Sequence, residues 1–503
     1  MKILNLTSRS ISLDLDNNDI YETKEYEIYL NKKLYKKDNK NIISIFDLLP
    51  NTSYELKIND DIIDFKTLDE SLFIDLKEFN CIADGIHDDT AKIQAAIMTA
   101  PMNSTIYFGK GTYLVSSLYL KSNLTLYIDK DAKILAKPNR LDYPTHPGKI
   151  DNYNIGIWEG IEQTNFASII NIYDQENINI IGEGIIDGNA LNGDWYINHR
   201  IKNIAWRGHI FFSKDSRNIN IIGLNFYDSP SWTIHPYMTD NIDIINVTIK
   251  NKISMPTTDG IDPDCCDNIR ILGTYISVGD DCIAIKSGSY DLALKYKIPC
   301  SNLLIENNHF ESGHGGVVFG SELSAGINNV TVKNCLFTST DRGLRIKTRR
   351  GRGHVGIIDN VIFENNLMNK VKTPFVINMY YNMGNKGGHE EYVWSTKYHE
   401  FDDLTPVIGS FKFKNIICND IEYAAGVFLG LPESKIKDIE FENVTFNYNR
   451  NAKEGYPVMI EHNILMKRIG IYTLNCGNIL LENVIFNGNI GENIIEIEGD
   501  NNE

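Results

Sequence analysis

The chain has 503 residues, 42% hydrophobic and 10% aromatic, with 49 Lys and Arg against 66 Asp and Glu, a formal charge of −17. So acidic a protein is a poor general nucleic-acid binder, because neutralising phosphates takes a positive surface. No run approaches the roughly 18 consecutive apolar residues of a membrane helix, and the length suits about two to four domains or one long all-β fold.

The first residues, MKILNLTSRSISLDLDNND, have no apolar run of signal-peptide length and no small-residue cleavage site. This predicts a cytoplasmic protein, or a secreted one whose leader has been removed. Eight cysteines without CxxC or Cys/His metal spacing predict free, packed thiols, which suits a reducing compartment. Adjacent Cys265 and Cys266 would strain to bridge each other. No metal or other cofactor is expected.

Residues 1–67 read as a separate unit. Apolar residues alternate at Ile11, Leu13 and Leu15, at Tyr26, Ile28 and Leu30, and at Tyr54, Leu56 and Ile58. The LPNTSYEL segment at 49–56 resembles the late-strand corner of fibronectin type III modules, where a Tyr pins the sandwich. A small β-sandwich is expected there, and residues 68–503 form the second domain.

One helix is expected at 89–100. Asp89 or Thr90 caps it, Ile93, Ala96, Ile97 and Ala100 make its apolar face, and Pro101 ends it. Beyond it a short phrase recurs: Asn, apolar, any, apolar. It starts at Asn177, Asn218, Asn241, Asn268, Asn302, Asn329, Asn360 and Asn478 at irregular intervals, with a further coil at Asp438. Short strands with Asn and Gly at the corners and variable insertions predict an all-β parallel β-helix, its open end covered by the helix. Leucine-rich repeats would need a constant period and a Leu consensus, and neither is present. Three insertions, at about 138–166, 189–208 and 380–406, carry Trp158, Trp195, Trp206 and Trp394. Aromatics on long loops over a rigid scaffold serve binding, or anchor their own loops.

The chemistry concentrates in four consecutive coils. TTDGIDPD at 257–264 is followed by GDDCIAIKSG at 279–288, then Gly313-His314-Gly315, then Arg345-Ile346-Lys347. Successive coils place equivalent positions side by side, so Asp259, Asp280 and Asp281 should share one face with His314, Arg345 and Lys347. Clustered carboxylates cannot all ionise cheaply; one is pushed upward and stays protonated, as glycoside hydrolysis requires. An isolated GDD phrase would mean only a solvated turn; here the alignment of the coils carries the argument. Arg345, Lys347, Arg349, Arg350 and Arg352 place five cations within eight positions of an acidic chain, which points to an anionic ligand.

Together TTDGIDPD, GDDCIAIKSG, GHGGVVFGSE and RIKTRRGRG, in this order, resemble glycoside hydrolase family 28, the polygalacturonases, from about residue 75 to the C-terminus. The resemblance implies a right-handed parallel β-helix and metal-free, inverting hydrolysis of α-1,4 links between galacturonate units of pectin. Carried over by position, Asp280 is the general acid, Asp259 and Asp281 activate water, His314 tunes the site by hydrogen bonding, and Arg345 and Lys347 grip the sugar carboxylate. Lys286, Arg349, Arg350 and Arg352 read as further substrate contacts. Thr257 stands where the family usually has Asn. The family's Tyr beyond the Arg-x-Lys strand falls on Tyr380 or Tyr381, with Tyr380 the first choice.

SPSWTIHP at 229–236, the N-terminal module and the long loops look like the bacterial exo-acting branch. This adds Trp232, His235 and Arg207 as substrate contacts, with Arg200 beside Arg207. Loops that wall off one end leave a pocket for a chain terminus, and an exo enzyme kept in the cell would trim imported oligogalacturonides. The rival readings are a rhamnogalacturonan or xylogalacturonan hydrolase, a β-helix polysaccharide lyase using calcium at Asp262, Asp264 and Asp267, and a non-catalytic carbohydrate-binding β-helix.

Overall fold

The computed structural model describes residues 1–382 and 390–497. Residues 2–66 form two antiparallel sheets. One holds Lys2–Leu6, Ile11–Asp14 and Ile42–Ile45; the other holds Lys33–Lys40, Glu22–Leu30, Ser53–Ile58 and Asp61–Lys66. The alternating residues read from the sequence (Ile11, Leu13, Tyr26, Ile28, Leu56, Ile58) make the core between them. At the corner, the Leu49 N–H donates to the Tyr54 hydroxyl at 2.8 Å, as a sandwich-pinning Tyr should.

The rest is a right-handed parallel β-helix. Each coil lays two strands into a 24-stranded sheet that closes around the core. The third face consists of a four-stranded sheet from Leu118–Tyr119 to Ile234–Tyr237 and a seven-stranded sheet from Asp281–Ile285 to Ile494–Ile497. Bridges from Ile234 to Ile261 and from Ile261 to Ile283 join the two. That third face carries the acids.

The recurring Asn has a double cause. Asn123, Asn177, Asn218, Asn241, Asn268, Asn302, Asn329 and Asn360 all have φ between 54° and 59°, a left-handed corner that Asn tolerates better than other side chains. Their amides also stack. Asn177 donates to Asn123, Asn218 to Asn177, Asn241 to Asn218 and Asn268 to Asn241, at 2.6–3.1 Å. The apolar residue after each Asn points inward, so Ile178, Ile219, Ile242, Ile269, Leu303, Val330 and Val361 lie in register as one buried column. In the last coils the pattern changes. Asn478 pairs with Asp438 inside a strand, and the left-handed corner moves to Asn443 and Asn483.

The helix runs Thr90–Thr99 and buries Ile93, Ala96 and Ile97 against the first coils. Asp89 sits at its N-cap but its carboxylate accepts the Ile82 and Ala83 N–H groups rather than a helix N–H. The sandwich docks on the outside of the β-helix: Ile42 and Phe46 pack on Ile181, Ile222, Ile245 and Leu272. Asn5 donates to Asn220 at 2.9 Å, and Arg270 to the Leu4 carbonyl at 3.0 Å. All eight cysteines are free thiols.

Candidate active site

The register of the third face brings the acids together, with an offset of one residue from the simplest reading. Ile261 bridges Ile283 and the Gly260 N–H donates to the Asp281 carbonyl at 3.0 Å, so Asp259 stands opposite Asp281, with Asp280 in the preceding turn. Oxygens of Asp259, Asp280 and Asp281 lie within 4.8 Å of one another. General inverting pairs keep their carboxyl groups about 6.5–9.5 Å apart, so the separation rule does not itself argue for inversion here. At this spacing the trio is tight enough for one cation, but two cations of the chain already serve Asp281.

Those cations are Arg345 and Lys347. Lys347 Nζ lies 2.7 Å from Asp281 Oδ2 and Arg345 Nη1 3.3 Å from Oδ1, all three side chains buried. Burial alone would raise the Asp281 carboxyl; Lys347 and Arg345 overcome it and hold Asp281 well below the usual carboxylate range. The group driven toward its neutral form is Asp259. Burial, then Asp262 and Asp280, push it far upward. Asp280 is half-buried, and its Oδ2 accepts the Thr257 N–H at 3.0 Å.

His314 lies one coil beyond Asp280 and its N–H donates to the Asp280 carbonyl at 2.8 Å. Its Nδ1 is 2.9 Å from Asp341, a hydrogen bond that raises the imidazole above its ordinary value. Asp341 itself is held low against burial by His314 and Lys372. Asp341 went unread in the sequence, although it follows Thr340, which bridges Gly313; aligning one more coil would have found it.

Several expected substrate contacts are instead spent inside the protein. Arg350 is fully buried, forked onto Glu433 at 2.5 and 2.9 Å, and it donates to the carbonyls of Tyr392, Ser395 and Lys397. It anchors the third loop, because only an internal carboxylate and carbonyls satisfy a guanidinium there. Arg352 reaches Ser321 and Glu322, and Arg349 is half-buried with its backbone bridged to Tyr380. The Tyr380 hydroxyl is buried and donates to the Gly430 carbonyl at 2.9 Å, so the Tyr beside the clamp is Tyr381, whose ring centre lies 5.8 Å from Lys347 Nζ. Residues 383–389 of this loop lie outside the described residues.

Lys286 is buried too. It sits 3.4 Å from Asp262, 3.7 Å from Glu322 and 4.4 Å from the centre of the Trp232 ring. Burial, against the pull of Lys286, pushes Asp262 up to about 8, and burial pushes Asp264 up to about 7. Asp264 lies 3.7 Å from His235, which burial lowers to about 3. His235 Nδ1 is 3.2 Å from His209, and both imidazoles are buried under the loops. Asp267 faces elsewhere and accepts from Ser301 and Asn302, so the three acids of the calcium reading form no cluster.

Trp232 belongs to a stack. Its ring lies 5.9 Å from Trp158 at 7°, and Trp158 lies 4.9 Å from Trp206 at 1°, which ties the first two insertions to the scaffold. Trp195 by contrast anchors its own loop among Tyr143, Phe166 and Arg140. The first insertion also crosses the face. The Ser289 N–H donates to the Gly160 carbonyl, and Glu162 accepts from Lys295 at 2.6 Å. Arg207 is buried, its guanidinium bonded to Pro230 and Thr257, while Arg200 is exposed.

A match to the glycosyl hydrolases family 28 spans residues 151–448, well over half of the chain. This chain belongs to that family. A second match, to "Rhamnogalacturonase A/epimerase, pectate lyase-like", covers residues 73–139. Among family 28 relatives, a probable polygalacturonase of Vitis vinifera is 30% identical over 387 residues, 75% of each chain. An exo-poly-alpha-D-galacturonosidase of Dickeya chrysanthemi is 25% identical over 448 residues, 76% of this chain and 72% of that one. The family 28 exopolygalacturonase of Yersinia enterocolitica superposes with a TM-score of 0.71 at 19% identity, covering 99% of this chain and 97% of the other. That fold likeness extends over the N-terminal sheets.

Proposed function

We propose that this family 28 hydrolase is an exo-acting polygalacturonase that cleaves α-1,4 links of oligogalacturonate from pectin. The observation that carries the reading is three carboxylates within 4.8 Å of one another, beside a buried Arg345–Lys347 pair, under loops that cross the face upstream of them. Acids supply proton transfer, the cations select an anionic sugar, and the loops laid across the face favour a chain terminus. The exo-poly-alpha-D-galacturonosidase of Dickeya chrysanthemi supports the mode of action.

In this reading Asp280 protonates the departing oxygen, and Asp259 with Asp281 activates water. Asp259, driven toward its neutral form by burial, lies within 4.8 Å of Asp280 and is the internal source of the proton that Asp280 delivers. Asp281, kept ionised by its cations, stays available as a carboxylate to orient and accept from the water. His314 tunes Asp280 from the next coil. Arg345 and Lys347 bind the sugar carboxylate while keeping Asp281 charged, with Tyr381 beside them. Inversion follows from the family resemblance. Proton NMR of the first-formed anomer tests it, and retention would overturn the roles. The protein is assigned to the cytoplasm; its free thiols support this and fractionation tests it.

A product profile on a defined oligogalacturonate tests the main claim. Stepwise release from one end is expected, and a mixed ladder would make the enzyme endo-acting. Activity on rhamnogalacturonan alone would shift the substrate. Asp280→Asn should cut turnover by about 10²–10⁴-fold with binding kept; unchanged turnover would sink the assignment.

A further inference from the structure

Thr257 is the one place where the TTDG corner departs from the family pattern, and its backbone is unusual. It has φ 60°, a left-handed conformation that β-branched residues avoid. Its N–H donates to Oδ2 of Asp280 at 3.0 Å, so this conformation aims a donor at the acid. Arg207, from the second insertion, holds the residue in place. Its Nη2 donates to Thr257 Oγ1 at 2.7 Å, and the Thr257 hydroxyl donates to the Pro256 carbonyl at 2.5 Å.

Arg207 is itself immobilised. Nη1 donates to the Pro230 carbonyl at 2.8 Å, Nη2 also reaches the His199 carbonyl at 3.5 Å, and the guanidinium lies 5.4 Å from the ring centres of both Trp158 and Tyr196. Burial lowers it to about 10, still a cation at neutral pH. The turn is stitched from the other side too, where the Gly279 N–H donates to Thr258 Oγ1 at 3.0 Å.

From this geometry we infer that Arg207 and Thr257 are positioning residues for the acid: the loop cation locks Thr257 so that its N–H occupies Oδ2 of Asp280 and leaves the transferable proton on Oδ1. A carboxyl oxygen that accepts an N–H along its lone pair is a poor place for a proton, so the donor selects which oxygen faces the glycosidic bond. The inference rests on the reading of Asp280 as general acid. It gives the second insertion a part in catalysis and removes Arg207 from the sugar-carboxylate contacts.

The test compares trigalacturonate, whose leaving group needs a proton, with a 2,4-dinitrophenyl α-galacturonide, whose leaving group does not. Arg207→Met and Thr257→Val should each lower kcat on trigalacturonate by about 10–100-fold with KM within about threefold, part of the range general acid catalysis contributes. On the activated glycoside the loss should stay below about fivefold. Thr257→Ser, which keeps the hydroxyl, and Thr257→Asn, which tolerates the left-handed corner, should restore turnover. A rise in KM at constant kcat would make Arg207 a substrate grip and overturn the inference. Equal losses on both substrates would overturn it as well, by leaving only a structural role. Should Arg207→Met fail to fold, Thr257→Val, which removes only the hydroxyl anchor, decides alone. Asp280→Asn run in parallel separates the two claims: full activity there on trigalacturonate refutes the acid assignment itself.

Discussion

Lys347→Met isolates what keeps Asp281 ionised in a buried site. Lys347 lies 2.7 Å from one Asp281 oxygen, and Arg345 3.3 Å from the other. At an effective dielectric of about 20, unit charges at the shorter distance attract by roughly 6 kcal/mol before desolvation is subtracted. What survives is a depression of about 1–3 pKa units for one opposite charge in contact. The variant therefore raises Asp281 by that amount, while Arg345 holds the remainder. Because the folded value of Asp281 is depressed, its contribution to stability is full above the unfolded value and fades as pH falls toward the folded one. Raising the folded value shrinks the stability lost below about pH 5 by roughly 1.4 kcal/mol for each pH unit of the rise. Guanidinium denaturation at a series of pH values reads this as a flatter dependence in the variant. Identical pH dependence in both proteins would refute the argument, because Lys347 would then not be what keeps Asp281 charged. Since Asp281 stays ionised at pH 7 in the variant, activity lost there reports the missing grip on the sugar.

Arg350→Met should cost about 3–5 kcal/mol, because it strands the buried Glu433 carboxylate; calorimetry measures it, and a pure rise in KM at unchanged stability would return Arg350 to substrate binding. The acids Asp262 and Asp264, pushed up to about 8 and about 7 chiefly by burial, act with the opposite sign to Asp281. Their contribution is full below the unfolded carboxylate value and is lost as pH rises from there to the folded values, so thermal stability should fall between about pH 4 and 8 and Asp264→Asn should flatten that fall. Deleting residues 1–66 uncovers Ile181, Ile222, Ile245 and Leu272 together, and the truncated chain should self-associate in light scattering; a monodisperse product would mean that the module shields nothing of consequence.

Much of this architecture was legible in the chain. The recurring Asn phrase is a local signal, because the same residue that tolerates a left-handed corner also stacks its amide on the next coil. The corner Tyr54 and the capping helix are local as well. The acid stripe was legible because coil stacking turns sequence spacing into proximity. A doubled apolar pair in four coils (Ile180-Ile181, Ile221-Ile222, Ile244-Ile245 and Ile271-Leu272) breaks the in-out alternation and marks the outer face the sandwich covers.

Side-chain partners of long cationic and aromatic residues were a different matter, because a flexible stem reaches groups far apart in sequence. Arg350 and Arg352 share one phrase with Lys347, yet they turn to Glu433 and Glu322. The choice of Tyr381 over Tyr380 turns on a single residue of strand alternation, and the opposition of Asp259 to Asp281 on a single residue of register. Composition and periodicity were enough to specify the coil and to gather its acids on one side, since both follow from short-range backbone preferences repeated along the chain. Which acid is driven toward its neutral form, and which arginines are held by carboxylates of the protein, was decided only in three dimensions, where burial and the nearest opposite charge set the energy of an ionised group.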